Sequence, residues 1–133
     1  MPTYAMTTTI NAPMAAVKER VTAALKNNGF GVLTEINMAA TLKDRIGAEI
    51  PSYEILGACN PTLAHKAVTL EPSIGLLLPC NVTLRDVDGK TEVSIIDPKM
   101  MIAVVDEDVQ HQLDSVMQEA RTLLQTALDE LTE

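Results

Sequence analysis

The strongest constraint on the fold is a long, regular apolar stripe near the C-terminus. From about Asp106 onward, apolar residues recur every three or four positions over about six turns, with acids and amides opposite them. Glu107 and Asp108 fall where the positive end of a helix dipole favours acids. The sequence therefore predicts one long helix that packs across a sheet. Its stripe comprises Val109, Leu113, Val116, Met117, Ala120, Leu123, Leu124, Ala127, Leu128 and Leu131.

Three shorter helices are predicted upstream from capping residues. We expect Asn11 to cap the first, which tolerates an early Pro13 and ends at Gly29. Asn37 is expected to cap the second helix, which ends at Gly47. Asn60 is expected to cap the third helix, which starts at Pro61 and runs for about ten residues. Their predicted apolar faces contain Val17, Val21, Ala24 and Leu25 in the first, Met38, Leu42 and Ile46 in the second, and Leu63, Ala64, Ala67, Val68 and Leu70 in the third.

Five segments have the alternation or the β-propensity of strands. The last two are joined by a turn at Asp88-Gly89, which predicts a β-hairpin. A hairpin together with helices that do not strictly alternate with strands favours an α+β fold with helices on one face of the sheet. The chain is expected to form a single domain over residues 1–133. The predicted strands are residues 3–10, 30–36, 53–58, 76–85 and 91–96.

Charge excludes several partner classes. The formal net charge is −8, whereas a nucleic-acid binder needs a basic stripe to neutralise phosphates. Nucleic acids and anionic membranes are therefore not expected partners. No apolar run approaches the ~20 residues that a bilayer requires, and the N-terminal sequence lacks the basic and apolar regions of a signal peptide. We expect a cytoplasmic protein.

Three local strings carry a family resemblance. Residues 53–61 (YEILGACNP), 74–82 (IGLLLPCNV) and 93–101 (VSIIDPKMM), with the turn Gly29-Phe30-Gly31-Val32, resemble the domain of unknown function 302 family along nearly the whole chain. The resemblance implies a TBP-like α+β fold with a curved antiparallel sheet, a tendency to dimerise and no established activity. DNA binding is not carried over from the namesake fold, because function belongs to the site and not to the fold.

Cys59 and Cys80 are the residues whose side chains are best suited to react or to bind a ligand. Their spacing matches no redox or zinc motif, so both are expected to be free thiols. Cys59 precedes a predicted helix N-terminus, which can lower a thiol pKa and make it reactive. Cys80 is expected to point toward apolar surroundings and to be inert. Both cysteines also admit the simpler interpretation of small buried hydrophobes.

Other candidate ligands have simpler explanations. If the cysteines meet, Met100 or Met101 would add a soft sulfur suited to Cu(I), although seven methionines in a core with few rings are more simply gap fillers. His65 and His111 are predicted to be exposed to solvent. No cofactor is predicted.

The candidate ligand-binding or redox residues are Cys59, Asn60, Pro61, Pro79, Cys80, Asn81 and Asp97. Asp97 before Pro98 is expected to form a turn. The first hypothesis is a non-catalytic homodimeric domain that binds a small or thiol-reactive ligand between the cysteine loops and the Asp97-Pro98 turn. The second is a thiol redox enzyme or sensor with Cys59 as nucleophile and Cys80 as resolving thiol. The third is a structural dimerisation module that uses the long helix.

Overall fold

The computed structural model describes residues 2–132 and consists of one five-stranded antiparallel sheet with helices on one face. The sheet order is β1-β5-β4-β3-β2, so β1 and β2 form its edges. The predicted α+β class and the long last helix are confirmed. The elements are β1 (Ala5–Ile10), α1 (Met14–Asn27), β2 (Gly31–Asn37), α2 (Met38–Ile46), β3 (Tyr53–Cys59), α3 (Pro61–Leu70), β4 (Cys80–Val87), β5 (Lys90–Ile96) and α4 (Glu107–Glu130), with 3-10 segments at Pro72–Leu77 and Pro98–Val104.

The inner face of the sheet, which lies under the helices, is apolar in the middle of every central strand. Leu84 on β4 lies opposite Val93 on β5, and Val82 lies opposite both Leu56 and Ile95. All five of these side chains are at most 1% exposed. Alternation along each strand therefore directs one continuous apolar layer toward α1 and α4.

Helix α4 buries the stripe that the sequence predicts. Leu113, Val116, Met117 and Leu124 are buried, and the helix packs against α1, α3 and β1 of its own chain. Because this apolar face is used within the chain, it is not available to a partner. The dimer interface that the third hypothesis places on this helix would have to use its polar face.

Two of the predicted turns are confirmed in detail. Asp88 and Gly89 join β4 to β5 with φ values of 53° and 82°, as expected for the tight turn of a hairpin. Gly29 has a φ of 85° after α1, a left-handed conformation that strongly favours glycine.

Two predictions about local structure are wrong, and one segment was not predicted. Asn11 does not cap α1, because Pro13 occupies the cap position without a side-chain bond and the helix begins at Met14. The fourth strand begins at Cys80 and not at residue 76, because Glu71 accepts a bond from the Ser73 N–H and starts a 3-10 segment instead. The segment Pro98–Val104, which Asp97 caps, was not predicted.

Helix α2 forms where it is predicted, but its apolar face is not buried. Asn37 accepts a hydrogen bond from the Ala40 N–H at 2.9 Å, and the helix ends at Gly47 with a φ of 69°. Met38 and Leu42 are only half-buried, and Ile46 is 74% exposed. The helix contacts the ends of β2 and β3 and not the centre of the sheet, so its stripe has no layer to pack against.

The face of the sheet opposite the helices is here called the open face. Apart from Gly57, its side chains are half-buried or exposed. Register pairs Thr7 with Ser94, Ser94 with Thr83, and Thr83 with Ile55, which gives a row across four strands. The open face comprises Ala5, Thr7, Thr9, Thr34, Ile36, Tyr53, Ile55, Gly57, Asn81, Thr83, Arg85, Val87, Lys90, Glu92, Ser94 and Ile96.

Candidate functional site

The two cysteines lie at the same end of the sheet, on neighbouring strands. Cys80 begins β4 directly opposite Ala58, which precedes Cys59 at the end of β3. Both residues line a cleft of about 30 Å³ between the sheet and helices α3 and α4, here called the cysteine cleft. The structure therefore brings together two thiols that are far apart in sequence. The walls of the cleft are apolar and include Phe30, Leu63, Ala67, Val116, Met117 and Ala120.

Asn60 holds the rim of the cysteine cleft in place. Its side-chain oxygen accepts a hydrogen bond from the Leu63 N–H at 3.1 Å and caps α3, which starts at Pro61 as predicted. The Asn60 amide also lies against Gly29, where an added Cβ would come within 2.9 Å of the amide nitrogen. The turn after α1 and the start of α3 therefore pack on each other.

Pro79 closes the other side of the cleft by packing on a glycine. A Cβ at Gly57 would lie 2.7 Å from Pro79 Cγ and 2.2 Å from Thr34 Oγ1. Glycine at this position is therefore a packing requirement, because any side chain would displace both neighbours. Sequence reasoning did not identify Phe30 as a lining residue of this cleft or Gly57 as the support of Pro79, and only their positions within the family-like strings could have pointed to them.

Burial makes both thiols weak acids. It raises the pKa of Cys80 to about 11, and the nearby Cys59 contributes further to that increase. Burial also raises the pKa of Cys59. The expectation of a lowered Cys59 pKa is therefore wrong, because its position before α3 also removes it partly from water. Both groups are neutral thiols at neutral pH.

The remaining candidate residues lie away from the cysteine cleft. Asn81 is exposed on the open face, one position from inward-facing Cys80. Asp97 is not at the cleft. It accepts a bond from the Lys99 N–H and pairs with Arg121 of α4 at 3.0 Å, which ties the second 3-10 segment to that helix. The predicted turn role of Asp97 is confirmed. Asp97 does not line the cysteine cleft, but a separate groove lies between the Pro79-Asn81 segment and the residues that flank Asp97.

The alternative ligands do not gather around the thiols. Within residues 2–132, no group of three His, Cys, Asp or Glu side chains is positioned to hold a metal ion. Met100 lines a different groove, and Met101 is buried. His65 and His111 are exposed, as predicted. Among the described helices, none has the length and apolar character needed to cross a membrane.

Comparisons with known proteins give a family but no activity. A family model described as "Domain of unknown function DUF302" matches residues 6–131. The chain is also similar to the crystal structure of an uncharacterized conserved protein DUF302 from Bacillus stearothermophilus, with 23% identity and a TM-score of 0.87 over 97% of this chain and 98% of that chain. No curated protein matches the chain.

Proposed function

The chain belongs to the DUF302 family, and because that membership assigns no activity, we propose from its own geometry that it is a non-catalytic, homodimeric domain that binds a small apolar ligand at the cysteine cleft. The observation that carries the ligand proposal is the convergence of three turns on one apolar cleft. The turns at Gly29, at Cys59-Asn60 and at Pro79-Cys80 contribute to it from distant parts of the sequence.

The chemistry of the cysteine cleft supports binding over catalysis. Both thiols are neutral near pH 7, because burial raises their pKa values, and a thiol is a poor nucleophile compared with a thiolate. The described lining residues include no histidine, carboxylate or amine that could act as a base. An apolar cleft of this kind can take up apolar atoms.

The size of the cysteine cleft limits the ligand. A volume of about 30 Å³ accommodates a few atoms, far below the roughly 300 Å³ at which drug-sized pockets begin. The ligand is therefore a very small apolar molecule, or a longer one that inserts only an apolar end beside the sulfurs.

Xenon is a suitable probe, because it enters small apolar cavities without needing polar partners. We expect xenon under pressure to give saturable shifts of the Ala58, Cys59 and Ala64 amide resonances. Ala64→Leu should fill the cleft and abolish the shifts, whereas Ala15→Leu on the exposed side of α1 should preserve them. Absence of these shifts in the wild-type chain, or their persistence in Ala64→Leu, would contradict the proposal.

A second candidate is the thiol redox function, which the presence of both cysteines at one cleft favours. Its test is the rate of reaction with a thiol reagent between pH 5 and 9 for the wild type, Cys59→Ser and Cys80→Ser. Fast reaction of Cys59 near neutral pH would support the redox function. Thiols that do not react until the protein unfolds would rule out the redox function.

The homodimer is supported by exposed apolar side chains on the face of the sheet that the helices leave uncovered. Ile36 of the edge strand β2 lies on the open face and is 44% exposed, and exposed apolar patches mark interaction sites. Both cysteines are free, as expected in a reducing compartment, which supports a cytoplasmic location. The single sheet with helices on one face supports the TBP-like classification.

A further inference from the structure

We infer that a second copy of this chain docks on the open face and on the apolar groove beside it. The inference rests on the homodimer part of the proposed function and is independent of the ligand part. The groove, here called the 3-10 groove, encloses about 380 Å³ and is formed by Leu76 and Leu77 of the first 3-10 segment and by Met100 and Val104 of the second.

The 3-10 groove exposes apolar side chains that its own chain does not cover. Leu76 is 88%, Val104 68% and Met100 38% exposed. Scattered apolar side chains are normal on a protein surface, but a contiguous exposed patch marks an interaction site. These three residues all line the same groove, so they form such a patch.

The groove continues into a second concavity on the open face. That concavity encloses about 560 Å³ and is lined by Tyr4, Tyr53 and Arg85, among others. Asn81 and Ile96 line both concavities, so they form one continuous surface. Tyr4 and Tyr53 are both of the tyrosines in the chain, and tyrosine is enriched at protein interfaces.

The available area fits a dimer only if both concavities take part. Five strands ~4.8 Å apart and roughly 20 Å long give the open face a footprint of about 500 Å². A stable interface of standard size buries about 800 Å² on each partner. The open face alone is therefore too small, and the adjoining 3-10 groove supplies the missing apolar area.

Charge complementarity favours a second copy as the occupant. The chain carries a net charge of −8, so two copies repel one another over most of their surfaces. On the open face, Arg85 and Glu92 neutralise each other through contacts of 2.8 and 3.2 Å, and Lys90 at the start of β5 adds a positive charge. Around a two-fold axis, Arg85 of one copy can face Glu92 of the other, which makes this face self-complementary.

Sedimentation equilibrium over a concentration series tests the inference. We expect the wild-type chain to reach twice its 14.4 kDa mass. Leu76→Glu should raise the dimer Kd by about tenfold or more, because it places a like charge in each copy's apolar groove. Since the Leu76 side chain is 88% exposed, the substitution removes little packing from the monomer.

Matched variants separate a surface effect from a loss of fold. Val68→Glu also places an acid at an exposed apolar position, 41% exposed on α3, and should leave the Kd unchanged. Thr83→Glu on the open face should weaken the dimer, whereas Thr126→Glu on α4 should not. Circular dichroism of each variant reports on folding.

Two outcomes overturn the inference. A dimer whose Kd is unchanged in both Leu76→Glu and Thr83→Glu would place the interface elsewhere while leaving the homodimer intact. A wild-type chain that stays monomeric at millimolar concentration would refute both the homodimer and this interface. The exposed surface would then be a binding site for a different protein. The xenon experiment is unaffected in either case, so failure of the ligand proposal remains distinguishable.

Discussion

The two faces of the sheet are made from the same strands, but one is buried in the core and the other is largely exposed. On β4, Val82 and Leu84 point into the core and are fully buried, while Thr83 between them is partly exposed on the open face. The centre of the inner face consists of aliphatic side chains under the helices, and the open face mixes hydroxyl, amide, charged, tyrosine and isoleucine side chains. Burial on one face therefore drives folding, which leaves the other face free to interact.

Neighbouring residues on β4 provide the largest test of this contrast. Leu84→Ala should lower the free energy of unfolding by about 2–5 kcal/mol, because it leaves a cavity in the layer under α1 and α4. Thr83→Ala should lower it by less than about 1 kcal/mol. Denaturant unfolding of the two variants measures the difference, and equal losses would refute the assignment of the faces.

Gly57 is the place where the open face is packed as tightly as the core. Gly57→Ala should cost about 1–3 kcal/mol, because the new Cβ would overlap Thr34 and Pro79. Gly75→Ala is the matched control: a Cβ there meets nothing within 4 Å, so its effect should stay within about 0.5 kcal/mol. A neutral Gly57→Ala would mean that Pro79 is not held against β3.

The buried thiol of Cys80 on the inner face should make the free energy of unfolding depend on pH. The pKa of Cys80 is raised from 9.0 to about 11, so between these values the unfolded chain releases a proton that the folded chain keeps. The stabilisation is therefore complete below pH 9 and is lost as the pH rises toward 11. By linkage it amounts to a loss of about 1.4 kcal/mol between pH 8 and 10.

Cys80→Ala provides the control for the pH prediction. Chemical unfolding of this variant should show a flatter pH dependence between pH 8 and 10 than that of the wild type. The raised pKa of Lys18, which Glu35 and Glu54 cause through side-chain hydrogen bonds, starts from 10.5 and acts mainly above this window. Identical slopes for the variant and the wild type would show that Cys80 is not buried.

The smallest expected effect comes from a hydroxyl pair on the open face. Thr7 and Ser94 form a hydrogen bond of 2.9 Å between β1 and β5. Thr7→Val keeps the shape and removes the bond. Because both side chains are only half-buried, the free energy of unfolding should fall by about 0.5 kcal/mol or less. A loss above about 2 kcal/mol would indicate that the pair is buried and would weaken the contrast between the faces.

Most of the fold could be predicted because its signals are local and periodic. The stripe of α4 repeats over about six turns, and Asp88-Gly89 permits few alternatives to a hairpin turn. The run Leu76-Leu77-Leu78 was misassigned to a strand, because a short apolar run does not distinguish a strand from a 3-10 segment. The apolar stripe of α2 is visible in the sequence, but the sequence does not show whether another element packs on that stripe.

The site could be predicted only in part, because it depends on contacts between distant segments. Asn60 was identified as a helix cap from its neighbours, whereas its contact with Gly29 spans about thirty residues and leaves no local signal. The pKa of Cys59 was predicted in the wrong direction, since the helix N-terminus is visible in the sequence and the degree of burial is not. The open face was not predicted as a site, because its residues are individually unremarkable and become a surface only through strand register.

The most direct test of the account is hydroxyl-radical footprinting of the wild-type chain at concentrations well below and well above its dimer Kd. We predict that Tyr53, Leu76 and Met100 become protected at high concentration while Val68 on α3 stays equally reactive. Dimer formation without protection of these three residues would contradict the claim that the open face and the 3-10 groove receive the partner.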